Sequence, residues 1–570
     1  MDFKLEIAKL ISVASNLNTD DILDALEVPP DSAMGDFAFP CFRLAKVLKQ
    51  APPAIADNIK SKIIASDSSN SHGFLSSIEV SGAYLNFFVN RSMFATHVLT
   101  DITKQGRAYG SSDIGKGGCV VIDYSSPNVA KPFHIGHLRS TIIGHALYNI
   151  HNFLGYRSFS INYLGDWGTQ FGKVITAYKQ WGNDDEIAKE GMPALLALYV
   201  KFHDESENDP ALDEEARSWF VKMQEGDAEA LRLWRWFLDI SMDEYEKVYK
   251  RLDISFDSYN GESFYNDKMA AVVDEMRDKG ILTESLGAMI VDLEAHKMPP
   301  CLILRSDGGT LYPTRDIASV LYRKSEYDFV KALYVTGHEQ ILHFAQWFKV
   351  VELMGHKWAK TQLAHIPFGF INFTGGKLST RKGRVILMES FMDEAVAKIR
   401  SVIDEKNPAL PDKELVAEQV GIGAIIFNDL YNNRIKDIEF SWERMLSFDG
   451  ETGPYVQYTH ARCNSVLGKA TIDYSDADLA LLTNDHEFEL VKALRVFPEK
   501  VIEAADKYEP YIVSRFVMQA AQAYNRFYHD NPILRADEDI MKARLYLTDC
   551  TRTVIAAALA LLGIKAPAEM

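Results

Sequence analysis

The hydrophobic positions change period twice along the chain, and each change marks a change of architecture. Phe3, Ile7, Leu10, Ile11 and Ala14 recur at the spacing of one helix face. Residues 37–42 and 78–89 then read as strands, the second run doubling back around Gly82. A small α+β unit is predicted over residues 1–110, closed by the glycine- and serine-rich run 110–118, which has the composition of a linker. From Cys119 onward, short apolar runs at 120–124, 160–164, 301–304 and 332–336 are separated by helical segments. Strands alternating with helices predict a parallel sheet covered on both faces. Residues 180–250 break the alternation with acidic, helix-period sequence and read as an insertion. Beyond residue 410 the period is almost wholly helical, and residues 446–570 read as an all-α helical bundle.

Composition narrows the class of molecule. A chain of 570 residues exceeds one ordinary hydrophobic core, and 47% hydrophobic with 25% charged residues is the balance of a globular protein. The start, Met1-Asp2-Phe3-Lys4-Leu5-Glu6, is mixed in charge rather than basic and then apolar, and the apolar run 554–562 is too short to span a bilayer. A cytoplasmic protein with no membrane partner is expected. Cys41, Cys119, Cys301, Cys463 and Cys550 stand singly, with no pair at zinc-ligand spacing, so neither a disulfide framework nor a structural metal is expected. The net charge of −18 repels nucleic acid at long range. A nucleic-acid partner must then be held by local basic clusters and by shape.

Two stretches look suited to phosphate. Gly110-Ser111-Ser112-Asp113-Ile114-Gly115-Lys116-Gly117 nearly matches a phosphate-cradling loop, but Gly117 stands where the magnesium-binding hydroxyl belongs, and the loop precedes a strand instead of following one. It is a decoy. The second is His134-Ile135-Gly136-His137. It follows the strand 120–124 and the polar turn Ser125-Ser126-Pro127-Asn128, and Leu138, Ile142, Ala146, Leu147 and Ile150 mark the apolar face of a helix starting near His134. The pair is thus expected in the first turn of a helix at the carboxyl end of a parallel strand, where open α/β sheets bind ligands and helix ends attract anions. Two imidazoles add donors there, and Gly136 lets a planar ring approach the backbone. The arrangement fits a nucleoside triphosphate. The plain alternative is that the pair caps the helix, or that His137 packs against the sheet.

His134-Ile135-Gly136-His137 resembles the signature of class I aminoacyl-tRNA synthetases, and the longer run 125–141 resembles the arginyl-tRNA synthetase family in particular. Further matches are Asn162-Tyr163-Leu164-Gly165-Asp166-Trp167-Gly168-Thr169-Gln170-Phe171-Gly172, Leu311-Tyr312-Pro313-Thr314-Arg315-Asp316 and Gly453-Pro454-Tyr455-Val456-Gln457-Tyr458-Thr459-His460-Ala461-Arg462. The resemblance spans nearly the whole chain in order, and the final ten residues resemble the family terminus. It implies a Rossmann-like catalytic domain over residues 111–445, an N-terminal domain (1–110) that touches the tRNA elbow, and an anticodon-binding bundle (446–570). It also implies activation of L-arginine by ATP with Mg2+, transfer to tRNA(Arg), and a need for bound tRNA before activation. A monomer that binds no DNA is expected. Two rivals are a ligase that couples a small amine at the same ATP site and a non-catalytic RNA-binding paralogue.

By the same resemblance, His134 and His137 meet the phosphates of ATP and Gly136 the face of adenine. The second class I signature, Lys-Met-Ser-Lys-Ser, corresponds to Lys377-Leu378-Ser379-Thr380-Arg381-Lys382-Gly383, so Thr380 replaces the lysine that neutralises the triphosphate. A hydroxyl cannot supply that charge. Lys131 is the expected compensation, with Arg381 and Lys382 as further candidates beside Lys377 and Ser379. For the substrate guanidinium, a planar fork best matched by carboxylates, the resemblance implies Glu262 and Asp316, with Tyr312 and Gln340 in the pocket wall. Ser126 and Asn128 would hold the α-amino and carboxylate ends. Glu262 could instead be a surface turn residue and Asp316 a helix N-cap. For tRNA the candidates are Asn86 and Phe88 in the N-terminal domain and Tyr455, Tyr458, Arg462, Tyr524 and Asn525 in the bundle.

Overall fold

The computed structural model describes residues 2–29, 31–66, 73–372 and 386–570. It contains two compact units. The first is Met1–Tyr109 with Ser465–Arg495 and Gln522–Val554, and the second is Gly110–Asn464 with Val496–Ala521 and Ile555–Met570. Each unit is assembled from separate stretches of the chain.

In the first unit, β1 (Phe37–Pro40), β2 (Leu75–Ser81) and β3 (Tyr84–Val89) form an antiparallel sheet in the order β1-β3-β2. Gly82, at φ +60°, supplies the left-handed first position of the two-residue turn that joins β2 to β3. Helices Phe3–Ser15, Pro52–Ser66 and Arg91–Gln105 accompany the sheet, and Phe94 packs edge-on against Phe488 at 5.5 Å.

The second unit opens with β4 (Cys119–Asp123) and β5 (Arg157–Ile161), joined by the helix Leu138–Phe153. A separate antiparallel sheet follows, made of β6 (Leu282–Ser285), β7 (Ala288–Val291) and β8 (Cys301–Leu304). The chain then returns through β9 (Lys331–Tyr334) and β10 (Leu363–His365) to a four-stranded parallel sheet of order β10-β9-β4-β5. The short β11 (Ile371–Asn372) and β12 (Ile438–Glu439) pair with each other in parallel. All five residues of β4 are buried, as a central strand covered on both faces requires. From β4 the chain goes to β5 on one side and comes back to β9 on the other, so the direction of winding switches between β4 and β9. Open α/β sheets bind ligands at the carboxyl ends beside such a switch.

Three expectations change at this level. Residues 301–304 form a strand, but β8 pairs antiparallel with β7 outside the main sheet, since an apolar run specifies burial and not a partner. The helix expected from His134 begins at Leu138, after a 3-10 turn over Ile135–His137. Run 110–118 is no loose linker: the N–H groups of Ser112, Gly115 and Gly117 donate to the carbonyls of Phe153, Leu154 and Gly155. Those N–H groups are not free for a phosphate.

The insertion forms the helices Asp184–Glu190, Met192–Ser206, Pro210–Glu225 and Ala228–Leu252. Leu195, Trp219, Leu233 and Phe237 share one buried cluster with Val129, Ala130 and Leu164, so the insertion packs on the loops that follow β4 and β5. Among the described residues no helix is long and apolar enough to cross a membrane.

Candidate active site

A cleft of about 860 Å³ opens at the carboxyl ends of β4 and β9. Lys131, His134, Gly136 and His137 line it, and so do all six candidates for the amino acid: Ser126, Asn128, Glu262, Tyr312, Asp316 and Gln340. Lys377, Ser379, Thr380, Arg381 and Lys382 lie outside the described residues. The chain enters that interval from Asn372, on the cleft wall, and leaves it at Ile386, whose carbonyl accepts the Ile135 N–H at 3.1 Å.

The histidines cap their own turn. His134 Nδ1 accepts the Gly136 N–H at 3.0 Å, and His137 Nδ1 accepts the His134 N–H at 3.2 Å. With both Nδ1 lone pairs occupied, each neutral ring carries its proton on Nε2. Burial, helped by the Lys131 ammonium, pushes His134 down to about 4 and holds His137 well below its ordinary range. Both therefore offer uncharged Nε2–H donors at neutral pH. Gly136 is required by this cap, because a Cβ there would lie 2.7 Å from the His134 ring. The capping alternative and the ligand reading are compatible, since they use different ring nitrogens.

The loop between β4 and the histidines carries Ser125, Ser126 and Ala130 at φ +71°, +48° and +62°. Left-handed backbone at three non-glycine residues is costly and needs support from outside the loop. The long Ala228–Leu252 helix of the insertion provides it. Tyr245 donates its hydroxyl to the carbonyls of Asn128 (2.9 Å) and Lys131 (2.6 Å). Tyr249 meets the Ser125 hydroxyl at 2.7 Å and accepts from Asn162 Nδ2 at 2.9 Å. Ser241 accepts the Ala130 N–H, and Glu244 the Phe133 N–H. None of these residues is marked by the sequence pattern, beyond lying on an amphipathic helix. The Ser126 hydroxyl donates to Asp123 and accepts from the Tyr163 N–H. The exposed Asn128 side chain lies over Gly165, where a Cβ would come within 2.2 Å of Asn128 Oδ1.

On the opposite wall Glu262 and Asp316 are already engaged. Arg315 Nη1 donates to Glu262 Oε2 at 2.8 Å, and His343 Nε2 lies 2.6 Å from Asp316 Oδ2. Burial pushes the Glu262 carboxyl up to about 7 against the pull of Arg315, with Asp316 and Asp166 adding repulsion. Glu262 is thus not an open turn residue. Asp316 is not the cap of its helix either, because Leu311 holds that position. Beneath the cleft Arg323 and Asp123 form a buried pair at 2.7 Å, which anchors the end of β4 to the Tyr312–Tyr327 helix. Among the described residues no group of three His, Cys, Asp or Glu side chains could hold a metal ion.

The tRNA candidates differ in exposure. Asn86 and Tyr524 are buried, while Phe88, Tyr455, Arg462 and Asn525 are half-buried. Tyr458 is exposed, with the Arg462 guanidinium 4.9 Å over its ring.

Comparison with known proteins gives matches throughout. The family described as "tRNA synthetases class I (R), catalytic domain" matches residues 98–442, the "DALR anticodon binding domain" residues 456–570, and the "Arginyl tRNA synthetase N terminal domain" residues 2–89. An arginine–tRNA ligase of Alkaliphilus metalliredigens is 53% identical over 571 residues, covering 100% of both chains. One of Halothermothrix orenii is 50% identical over 572 residues, again covering 100% of both. Among solved structures, the arginyl-tRNA synthetase of Thermus thermophilus superposes with a TM-score of 0.83 at 24% identity, covering 100% of both chains. That of Plasmodium falciparum superposes at 0.81 and 22% identity, covering 99% of this chain and 98% of that one. At those identities the structural likeness shows the fold.

Proposed function

Because this chain belongs to the class I arginyl-tRNA synthetases, we propose that it activates L-arginine with ATP and transfers the arginyl group to the terminal ribose of tRNA(Arg). In the first step an arginine carboxylate oxygen bonds to the α-phosphorus as the bond to pyrophosphate breaks. In the second a ribose hydroxyl attacks the acyl carbon and AMP leaves. Neither step needs a protein nucleophile, so the chain's part is positioning and charge stabilisation.

His134 and His137 offer Nε2–H donors to the phosphates, Gly136 leaves room for adenine, and Lys131 supplies the charge that Thr380 lacks. Lys377, Ser379, Arg381 and Lys382 complete the phosphate side. Mg2+ accompanies the nucleotide's phosphates. Glu262 and Asp316 receive the guanidinium, Tyr312 and Gln340 flank it, and Asn128 with Ser126 holds the α-amino and carboxylate ends. Asn86 and Phe88 serve the tRNA elbow, while Tyr455, Tyr458, Arg462, Tyr524 and Asn525 serve the anticodon arm. A cytoplasmic monomer that awaits tRNA before it activates arginine completes the reading.

The observation that carries this assignment is the single cleft shared by the histidine pair and the two carboxylates. The test is direct. Purified protein with total tRNA and ATP should charge labelled arginine and not lysine, and pyrophosphate exchange should be negligible until tRNA is added. Failure to form arginyl-tRNA would overturn the function, and robust exchange without tRNA would overturn the ordering.

A further inference from the structure

We propose that Asp166 is the positioning residue that aims Glu262 at the substrate guanidinium. This rests on the reading of Glu262 given above. Asp166 follows β5, is 5% exposed, and lines a second pocket behind the cleft wall rather than the cleft itself. It therefore acts through another residue. Oδ1 accepts the Ser263 N–H at 2.8 Å, and Oδ2 accepts the Ser263 hydroxyl at 2.6 Å. Two bonds to one residue fix orientation as well as distance. Gly261 closes the contact from the other side, since a Cβ there would lie 2.6 Å from both Asp166 Oδ1 and the Leu164 carbonyl. Glu262 itself donates its N–H to Leu164 at 2.9 Å. The residues before and after Glu262, and its own amide, are thus all tied to residues 164–166.

Asp166 is anchored in turn. Its carbonyl accepts the Trp234 indole N–H at 2.7 Å, and the Trp234 ring meets Trp167 edge-on at 5.7 Å. Trp234 belongs to the same insertion helix that holds the loop after β4. One helix thereby registers both walls of the cleft.

The placement has an electrostatic side. The charged or titratable groups that face Glu262 are Arg315 and Asp316 from the Tyr312–Tyr327 helix, and Tyr163 and Asp166 from the segment after β5. Asp166 is a negative charge that opposes ionisation of Glu262. An asparagine in its place can still accept from the Ser263 N–H, and its amide can donate to the Ser263 hydroxyl. It keeps the geometry and removes the charge.

The experiment measures KM for arginine and kcat in tRNA charging from pH 6 to 8, on the full chain, for the parent, Asp166→Ala, Asp166→Asn and Glu262→Gln, with thermal unfolding alongside. Asp166→Ala should raise KM about tenfold at little cost to kcat, the scale of one misplaced hydrogen bond to a charge. Asp166→Asn should restore KM at pH 8 while moving the pH midpoint of KM downward. A merely structural residue would move unfolding and kcat without moving that midpoint. A folded Asp166→Asn protein with the parent's midpoint overturns the proposal, even if Asp166→Ala fails to fold. If Glu262→Gln leaves KM unchanged, the reading beneath it fails and carries this one down. If Glu262→Gln raises KM while the Asp166→Asn midpoint stays put, only the role of Asp166 is lost.

Discussion

The two nitrogens of His137 do different jobs, and a substitution can separate them. Nδ1 accepts the His134 N–H and belongs to the fold; Nε2 carries the proton and is the one available to phosphate. Asparagine places its amide oxygen near Nδ1 and nothing at Nε2, so His137→Asn keeps the cap and deletes the donor. Glutamine does the reverse, reaching the Nε2 position but giving up the cap. A preorganised donor acting on charge that develops in the transition state is worth about 2.7–4 kcal/mol, or about 10²–10³ in rate. A lost helix cap costs about 0.5–2 kcal/mol of stability. Pyrophosphate exchange with tRNA present should therefore fall about 10²–10³-fold in His137→Asn with its unfolding midpoint preserved. His137→Gln should retain part of the exchange and unfold more readily. The neutral state sharpens the test: with His134 down at about 4, neither imidazole titrates between pH 6 and 8, so the Asn defect should be the same across that range. Parental exchange by His137→Asn, or a defect that vanishes at one end of the range, refutes the donor role.

Other consequences follow from the same geometry. With Glu262 up at about 7, its ionised fraction falls from about nine-tenths at pH 8 to about one-tenth at pH 6, so KM for arginine should rise about tenfold on acidification; a flat profile in the parent would be inconsistent with Glu262 as guanidinium partner. Tyr249→Phe leaves the Ser125 hydroxyl and Asn162 amide each short of a partner, which should lower urea-unfolding stability by about 1–3 kcal/mol and weaken arginine binding, and an unchanged stability would mean that the Ala228–Leu252 helix does not support the loop after β4 through Tyr249. Burial holds His151 down at about 4, its Nδ1 bonded to the Leu147 carbonyl and its buried Nε2 without a partner among the described residues. A histidine whose folded value is depressed contributes stability above its ordinary 6.5 that is lost as pH falls toward 4, at up to about 1.36 kcal/mol per pH unit. Unfolding at pH 7 and 5 should show that loss in the parent and less of it in His151→Met; equal slopes would be contrary to the assignment.

The parts legible in the sequence were those whose pattern is local. β4 shows as a run of β-branched residues because a strand covered on both faces has no polar alternation, and the polar turn after it places the histidine pair. Gly82 marks a hairpin turn through its left-handed backbone, and Gly136 a turn where a Cβ would crowd the His134 ring. What failed was partnership. β8 and β4 look alike as apolar runs, yet one joins an antiparallel sheet and the other the centre of a parallel one. β10 spans three residues, too few to display a period. The helix start was misplaced because the histidines replace its first turn with their own hydrogen bonds. The insertion was visible as helix, but nothing along 228–252 tells which loop Tyr245 and Tyr249 hold, since their partners in that loop, Ser125, Asn128 and Lys131, lie more than a hundred residues away in the chain.

The same gap between local and tertiary information bears on the proposed choice of amino acid. Glu262 and Asp316 could be singled out, but not Arg315 and His343, which occupy one oxygen of each carboxylate. Among the described residues, Glu262 Oε1 and Asp316 Oδ1 accept no hydrogen bond from the protein. The wall therefore presents two acceptors on two separate carboxylates, one of them already charge-paired with Arg315. A guanidinium, with donors spread over a rigid plane, can satisfy both acceptors at once. A lysine ammonium is a compact point charge on a flexible stem and lacks the rigid fork that matches acceptors fixed on two carboxylates. A site whose buried acceptors go unmet by the wrong ligand discriminates by roughly 10⁴ or more without editing. If Glu262 and Asp316 receive the guanidinium as proposed, selectivity follows from which lone pairs Arg315 and His343 leave open, and it should weaken if either neighbour is removed while both carboxylates remain.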